Sequence, residues 1–99
     1  MDIYNIFENL EFSDRREIED IIFENEEIKV VRTASFGQTT DYYDQKELEM
    51  VKIEKGWAKL EVEGDIIDLK EGDILAINPH QIHRVISQGK TIWLCIFVK

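Results

Sequence analysis

The chain has 99 residues, with 12 Lys and Arg against 21 Asp and Glu, for a formal net charge of −9. That balance excludes a nucleic-acid binder, which needs a basic face, and it disfavours anionic membrane surfaces. No apolar run approaches the roughly 20 residues of a membrane span. Met1 to Asn5 lack the basic and apolar regions of a signal peptide. The lone Cys95 has no internal disulfide partner. A cytoplasmic protein with neither nucleic acid nor membrane as partner is expected, and the 43% apolar content suffices for one small core.

The first dozen residues carry Ile3, Ile6, Phe7, Leu10 and Phe12. This spacing allows a helical turn or an arm that packs on a partner. Ser13-Asp14, with Glu17 three residues after Asp14, is placed to cap a short helix. Ile21-Ile22-Phe23 and Ile28 to Val31, on either side of Glu24-Asn25-Glu26-Glu27, read better as a hairpin. Strands are therefore expected near 18–24 and 28–35. Residues 36–46 read as a polar, aromatic loop. Glu49, Val51 and Ile53 then share one strand parity, Leu48 and Met50 the other. The Val51/Ile53 face belongs inside and carries Glu49 with it. An inward carboxylate needs a partner, because an unpaired one is costly to bury.

Beyond Gly56, Ala58, Leu60 and Val62 point one way while Lys59, Glu61 and Glu63 point to solvent. Gly64-Asp65 is read as a two-residue hairpin turn. Ile66 to Leu69 returns, and Lys70-Glu71-Gly72-Asp73 turns again. Ile74 to Ile77 is an apolar run read as a short buried strand, and Asn78-Pro79 breaks it. His83 opens the next strand on the face that Val85 shares. Thr91 to Val98 is almost wholly apolar and should be a central strand covered on both faces. Many short strands with regular turn signals predict an all-β barrel or sandwich.

The residues with the most chemical content are Tyr43, Gln45, Glu49 and His83, with His80 at their rim. Convergent polar groups in an apolar barrel mouth point to a small-molecule ligand. Glu49 and His83 are also a carboxylate and an imidazole suited to a divalent transition metal, with Gln45 as a weaker oxygen donor. A metal-free Glu49–His83 hydrogen bond is the competing arrangement. Arg84 points away from His83 and reads as a surface ion pair. Cys95 reads as an inert packed thiol, and Trp57 and Trp93 as core or pocket wall. Glu61, Glu63, Asp65 and Asp68 read as a solvated strand face.

Gly72-Asp73, the apolar run, the Asn78-Pro79 loop, and His83 eleven positions after Gly72 resemble the second conserved motif of the cupins. Asn78 stands where Pro usually follows the run, and His80 where a second Gly is common. Glu49 and Gly56 have the spacing of the first motif's Glu and Gly, and Tyr43 and Gln45 replace its two histidines. The resemblance spans roughly residues 30–98. It implies a double-stranded β-helix, or jelly roll, of RmlC-like type, with residues 1–99 as one cupin domain, an N-terminal arm over 1–16 and the conserved barrel over 28–98. Tyr42-Tyr43-Asp44-Gln45 and His80-Gln81-Ile82-His83-Arg84-Val85 further resemble a subgroup of small bacterial cupins in which a Tyr-Asp-Gln run replaces the histidines. The run from Asn78 to His83 resembles sensor domains of bacterial transcription regulators, though the chain has no room for a DNA-binding helix pair. The family implies a small-molecule ligand at Tyr43, Gln45, Glu49, His80 and His83. It also allows one zinc, iron, manganese or nickel ion at Gln45, Glu49 and His83, and a homodimer. The alternative is a metal-dependent enzyme of isomerase or oxygenase type. A module that only assembles would leave the inward Glu49 unexplained.

Overall fold

The structure is a computed structural model and describes residues 2–99, so Met1 lies outside the described residues. Eight strands form in chain order: β1 (Ile18–Glu24), β2 (Ile28–Phe36), β3 (Leu48–Lys55), β4 (Trp57–Val62), β5 (Asp65–Lys70), β6 (Ile74–Ile77), β7 (His83–Gln88) and β8 (Lys90–Val98). They build two antiparallel sheets, one ordered β1-β2-β8-β3-β6 and the other β5-β4-β7. The architecture is an all-β jelly roll, as the alternation and turn signals predict. No helix of the described residues is long and apolar enough to cross a membrane.

The core lies between the sheets. Val31, Val51, Ile53, Trp93 and Cys95 enter from the larger sheet, and Ala58, Leu60, Val62 and Leu69 from the smaller. Each set follows the two-residue period of its strand, and in β2 and β8 part of the outer parity is buried as well, at Arg32 and Ile92. Gly56 makes the sharp β3–β4 corner at φ 97°, and a Cβ there would lie 2.5 Å from the Lys90 carbonyl oxygen. The residue must therefore be glycine both for its dihedral angle and for the closeness of β8.

Several expectations shift. Val62 pairs with Asp65, so the β4–β5 turn is Glu63-Gly64, one residue earlier than read. Both turn residues have positive φ, 50° and 84°, the pattern of the twisted two-residue hairpin turn. β6 is the edge of the larger sheet, not a buried strand: Leu75 and Ile77 face in, while Ile74 and Ala76 are exposed. β8 is central as expected, with Trp93 and Cys95 buried inside; on its outer face Ile92 is buried but Leu94 and Ile96 are only half-buried. Trp57 is half exposed and belongs to neither core nor pocket.

No helix follows Ser13; its hydroxyl instead accepts the Arg15 amide in a local turn. The segment before β1 is held by Arg32, which projects from β2 on the outer face. Its guanidinium donates to the carbonyls of Ile6 (3.2 Å), Glu8 (2.6 Å) and Asn9 (3.3 Å), and to Asp20 (2.7 Å). The Tyr4 ring stacks 5.1 Å from it. A charged side chain only 3% exposed is tolerable because nearly all of its donors find acceptors; its Nε alone has none among the described residues.

Candidate functional site

Between the sheets lies a cavity of about 180 Å³. Its walls are mainly apolar, and its polar lining includes Tyr43, Gln45, Glu49 and His83. The volume is below the roughly 300–1,000 Å³ typical of drug-sized sites, so a small ligand is the right scale.

Strand periodicity places the two central groups. Glu49 precedes Val51 and Ile53 on the inner parity of β3, and His83 precedes Val85 on that of β7. Both are buried, at 8% and 6% exposure. The loop before β3 is stitched along the free edge of β7. The Tyr43 amide donates to the His83 carbonyl at 2.7 Å, the His83 amide to the Tyr43 carbonyl at 3.1 Å, and the Thr40 amide to the Val85 carbonyl at 3.1 Å. This stitching brings Tyr43 to a ring separation of 5.6 Å from His83.

The imidazole has defined roles for its two nitrogens. Nδ1 is 2.8 Å from the Gln81 carbonyl oxygen, which only accepts, so Nδ1 carries the proton. Nε2 then faces the cavity, 3.7 Å from Glu49 Oε1, an ion-pair separation longer than a hydrogen bond. Gln45 Nε2 donates to the same Glu49 oxygen at 3.1 Å. The Glu49 carboxylate holds the His83 pKa above its ordinary value; burial opposes the rise, and the Gln81 carbonyl adds to it. The Tyr43 phenol is raised by burial first, then by Glu17, Glu19 and Glu49. Burial pushes the Cys95 thiol well up, as expected for a packed thiol rather than a nucleophile.

Four of the five residues read from sequence as ligand-binding thus line one cavity. His80 does not. Its side chain is exposed and bonds Asp44 at 2.8 Å, while its amide donates to the Gln45 carbonyl at 2.7 Å. Its φ of 63° accounts for the glycine common at this motif position. Arg84 faces outward, paired with Glu61 at 2.7 Å and stacked on Tyr42, as its parity implied. The reading missed Glu17 and Glu19, two further acids on the cavity wall. Glu19 has the parity to be found, since it alternates with Ile18 and Asp20, but the apolar Ile21-Ile22-Phe23 drew the inward face elsewhere. β1 is in fact bulged between Ile21 and Phe23, both exposed.

A metal is the group this fold most readily suggests. Gln45 donates to Glu49 through its Nε2, which leaves its amide oxygen as a weaker donor beside His83 Nε2 and Glu49. No group of three or more His, Cys, Asp or Glu converges among the described residues. His83 and Glu49 would fill half of a tetrahedral shell and Gln45 Oε1 at most one position more, so a ligand or solvent would have to supply the rest.

A family profile described as "Cupin domain" matches residues 31–97. The chain belongs to the cupins. Among solved structures, this cupin is similar to a putative mannose-6-phosphate isomerase from Ralstonia eutropha JMP134, with 28% identity over 100% of this chain and 99% of that one and a TM-score of 0.93. It is also similar to an RmlC-like cupin protein from Desulfovibrio desulfuricans, with 20% identity, coverage of 99% and 96%, and a TM-score of 0.86. A third, a conserved protein of unknown function from Streptococcus pyogenes, shares 13% identity over 99% of this chain and 87% of that one at a TM-score of 0.85. The last two likenesses speak to the fold alone. Among curated proteins, none matches the chain significantly.

Proposed function

We propose that this cupin binds a small polar molecule in its barrel cavity, with Glu49 and His83 as the principal contacts and Tyr43 and Gln45 flanking them. One observation carries the reading. His83 is nine-tenths buried, its Nδ1 is committed to the Gln81 carbonyl, and its Nε2 has no hydrogen bond from the protein while facing a cavity. An imidazole nitrogen that the protein leaves unpartnered and open to a cavity is suited to a ligand. The Tyr-Asp-Gln arrangement then serves a distinct pocket rather than a damaged metal site.

A second reading is a metal-dependent enzyme of isomerase or oxygenase type, with one divalent ion on Glu49 and His83 and its other positions filled by substrate or solvent. The locked Nδ1–H favours it, since a backbone carbonyl commonly orients a metal-ligating imidazole in this way. The isomerase name carried by the Ralstonia neighbour would point to a sugar phosphate. That substrate is poorly supported here, because no Lys or Arg among the described residues lines the cavity.

Metal analysis of untagged protein purified without chelator separates the two readings: stoichiometric metal supports the enzyme, and its absence supports the binding protein. Calorimetric titration with small metabolites and transition metals then tests the site itself. Glu49→Gln and His83→Ala should each lower affinity by about 10- to 100-fold, the loss of one charge-assisted contact. Equal affinity in parent and variants would place the site elsewhere.

The chain's assembly is inferred to be a homodimer that buries the arm over residues 1–16 or the outer face of the larger sheet. Exposed Met50, Ile74 and Val98 on that face, with Ile3 and Phe7 on the arm, support it. A monomeric mass by light scattering at micromolar concentration would reject it.

A further inference from the structure

We infer that the cavity selects a small organic cation, an alkyl- or cycloalkylammonium, over neutral and anionic molecules of the same shape. This rests on the proposed ligand-binding role of the cavity and names the chemical class of its ligand.

Charge is the first ground. Glu17, Glu19 and Glu49 line the cavity, and His83 is the only base among them. The chain has 12 Lys and Arg, and among the described residues none reaches the lining. The acids approach from two sides, since β1 and β3 are separated in their sheet by β2 and β8. A ligand between them would meet negative potential on both flanks, at an effective dielectric lower than that of water.

Hydrogen-bond complementarity is the second and independent ground. In the neutral ring, with the proton on Nδ1, His83 Nε2 presents a lone pair, and it lies 3.7 Å from an oxygen of the buried Glu49 carboxylate. Two acceptors therefore face one cavity side by side, and Gln45 satisfies only one oxygen of the pair. An ammonium group carries three donors and no acceptor, so it can bond Nε2 and the carboxylate together. A phosphate or carboxylate ligand brings acceptors to acceptors. The rings of Tyr43 and Trp93 add surface that attracts a cation. Trp93 is fixed there by its indole N–H, which donates to Gln88 Oε1 at 2.9 Å.

Three isosteric probes test the inference on the full chain at a mildly alkaline pH at which the His83 ring is neutral: cyclohexylammonium, cyclohexanol and cyclohexanecarboxylate. Binding is read by calorimetry and by NMR shifts of the Trp93 indole and the His83 ring. The ammonium is expected to bind at least about tenfold more tightly than the alcohol, with no measurable binding of the carboxylate. Glu19→Gln alters an exposed acid and leaves the core untouched, so folding is not at risk; it should weaken the ammonium about threefold and leave the alcohol unchanged. If the alcohol or the carboxylate binds as tightly as the ammonium, the cation assignment is wrong and the cavity remains a ligand site. If none of the three moves the Trp93 or His83 signals, both the assignment and the binding role fail.

Discussion

The barrel holds two buried polar clusters, and they differ in how completely their bonds are made. Around Gln88 the bonds are closed. The Trp93 indole donates to Gln88 Oε1, Gln88 Nε2 donates to the Gln38 carbonyl at 2.8 Å, and the Ser35 hydroxyl donates to Glu17. Around His83 the bonds stop short: Nε2 has no hydrogen bond and Glu49 receives only Gln45. The same polar chemistry in the same core thus does two things. A satisfied network fixes the barrel, and an open one leaves capacity for something that is not protein.

Breaking the closed cluster should have the largest effect on stability. Gln88→Leu leaves the Trp93 N–H and the Gln38 carbonyl without partners, at a cost of about 2–3 kcal/mol measured by urea unfolding. A loss below about 0.5 kcal/mol would show that the network is not structural. Arg32 offers a comparable test on the outer face. Arg32→Ala should cost about 2 kcal/mol and release the arm. Deleting residues 1–12 from the Arg32→Ala variant should then cost little more, because the two changes act on one contact. Full additivity would mean that the arm is held by something other than this guanidinium.

At the open cluster the effect is smaller and depends on pH. The folded pKa of His83 is raised by Glu49, so the pair's contribution is present below the ordinary histidine value of about 6.5 and is lost as pH rises through the folded pKa. Glu49→Gln should therefore destabilise the protein on the order of 1 kcal/mol near pH 6, and not at all well above the folded pKa. Thermal unfolding of parent and variant across this range checks it; a difference independent of pH would remove the pair from the account. The smallest change belongs to His80, outside the cavity. His80→Gly relieves a left-handed backbone but loses the Asp44 contact, so stability should move by less than about 1 kcal/mol and ligand affinity should not change.

Much of this contrast is legible in the sequence. Parity alone puts Glu49 with Val51 and Ile53, and His83 with Val85, so the two central groups of the open cluster follow from a period of two. The turns at Gly56 and Gly72 mark strand ends because glycine tolerates conformations others resist. A glycine does not fix register, however, and Gly64 closes the hairpin from the second turn position instead of opening it. The apolar run Ile74 to Ile77 does not reveal that its strand is an edge, since neighbours are set by topology. Glu17 and Glu19 reach the cavity because β1 pairs with β2, which sets Glu19 opposite Thr33 of the cavity wall, a tertiary outcome. The closed cluster joins Ser35, Gln38, Gln88 and Trp93 with Glu17 across long sequence separations, and no local pattern announces it.

The open cluster depends on the state of one imidazole. Nitrogen-15 NMR of the His83 side chain through a pH titration reads both of its nitrogens directly. The expected result for the ligand-free protein is a neutral tautomer protonated at Nδ1, with a bare Nε2 and a pKa above the ordinary histidine value. A neutral ring protonated at Nε2 would contradict an open acceptor facing the cavity and with it the site, and a pKa at or below that value would contradict the pairing with Glu49.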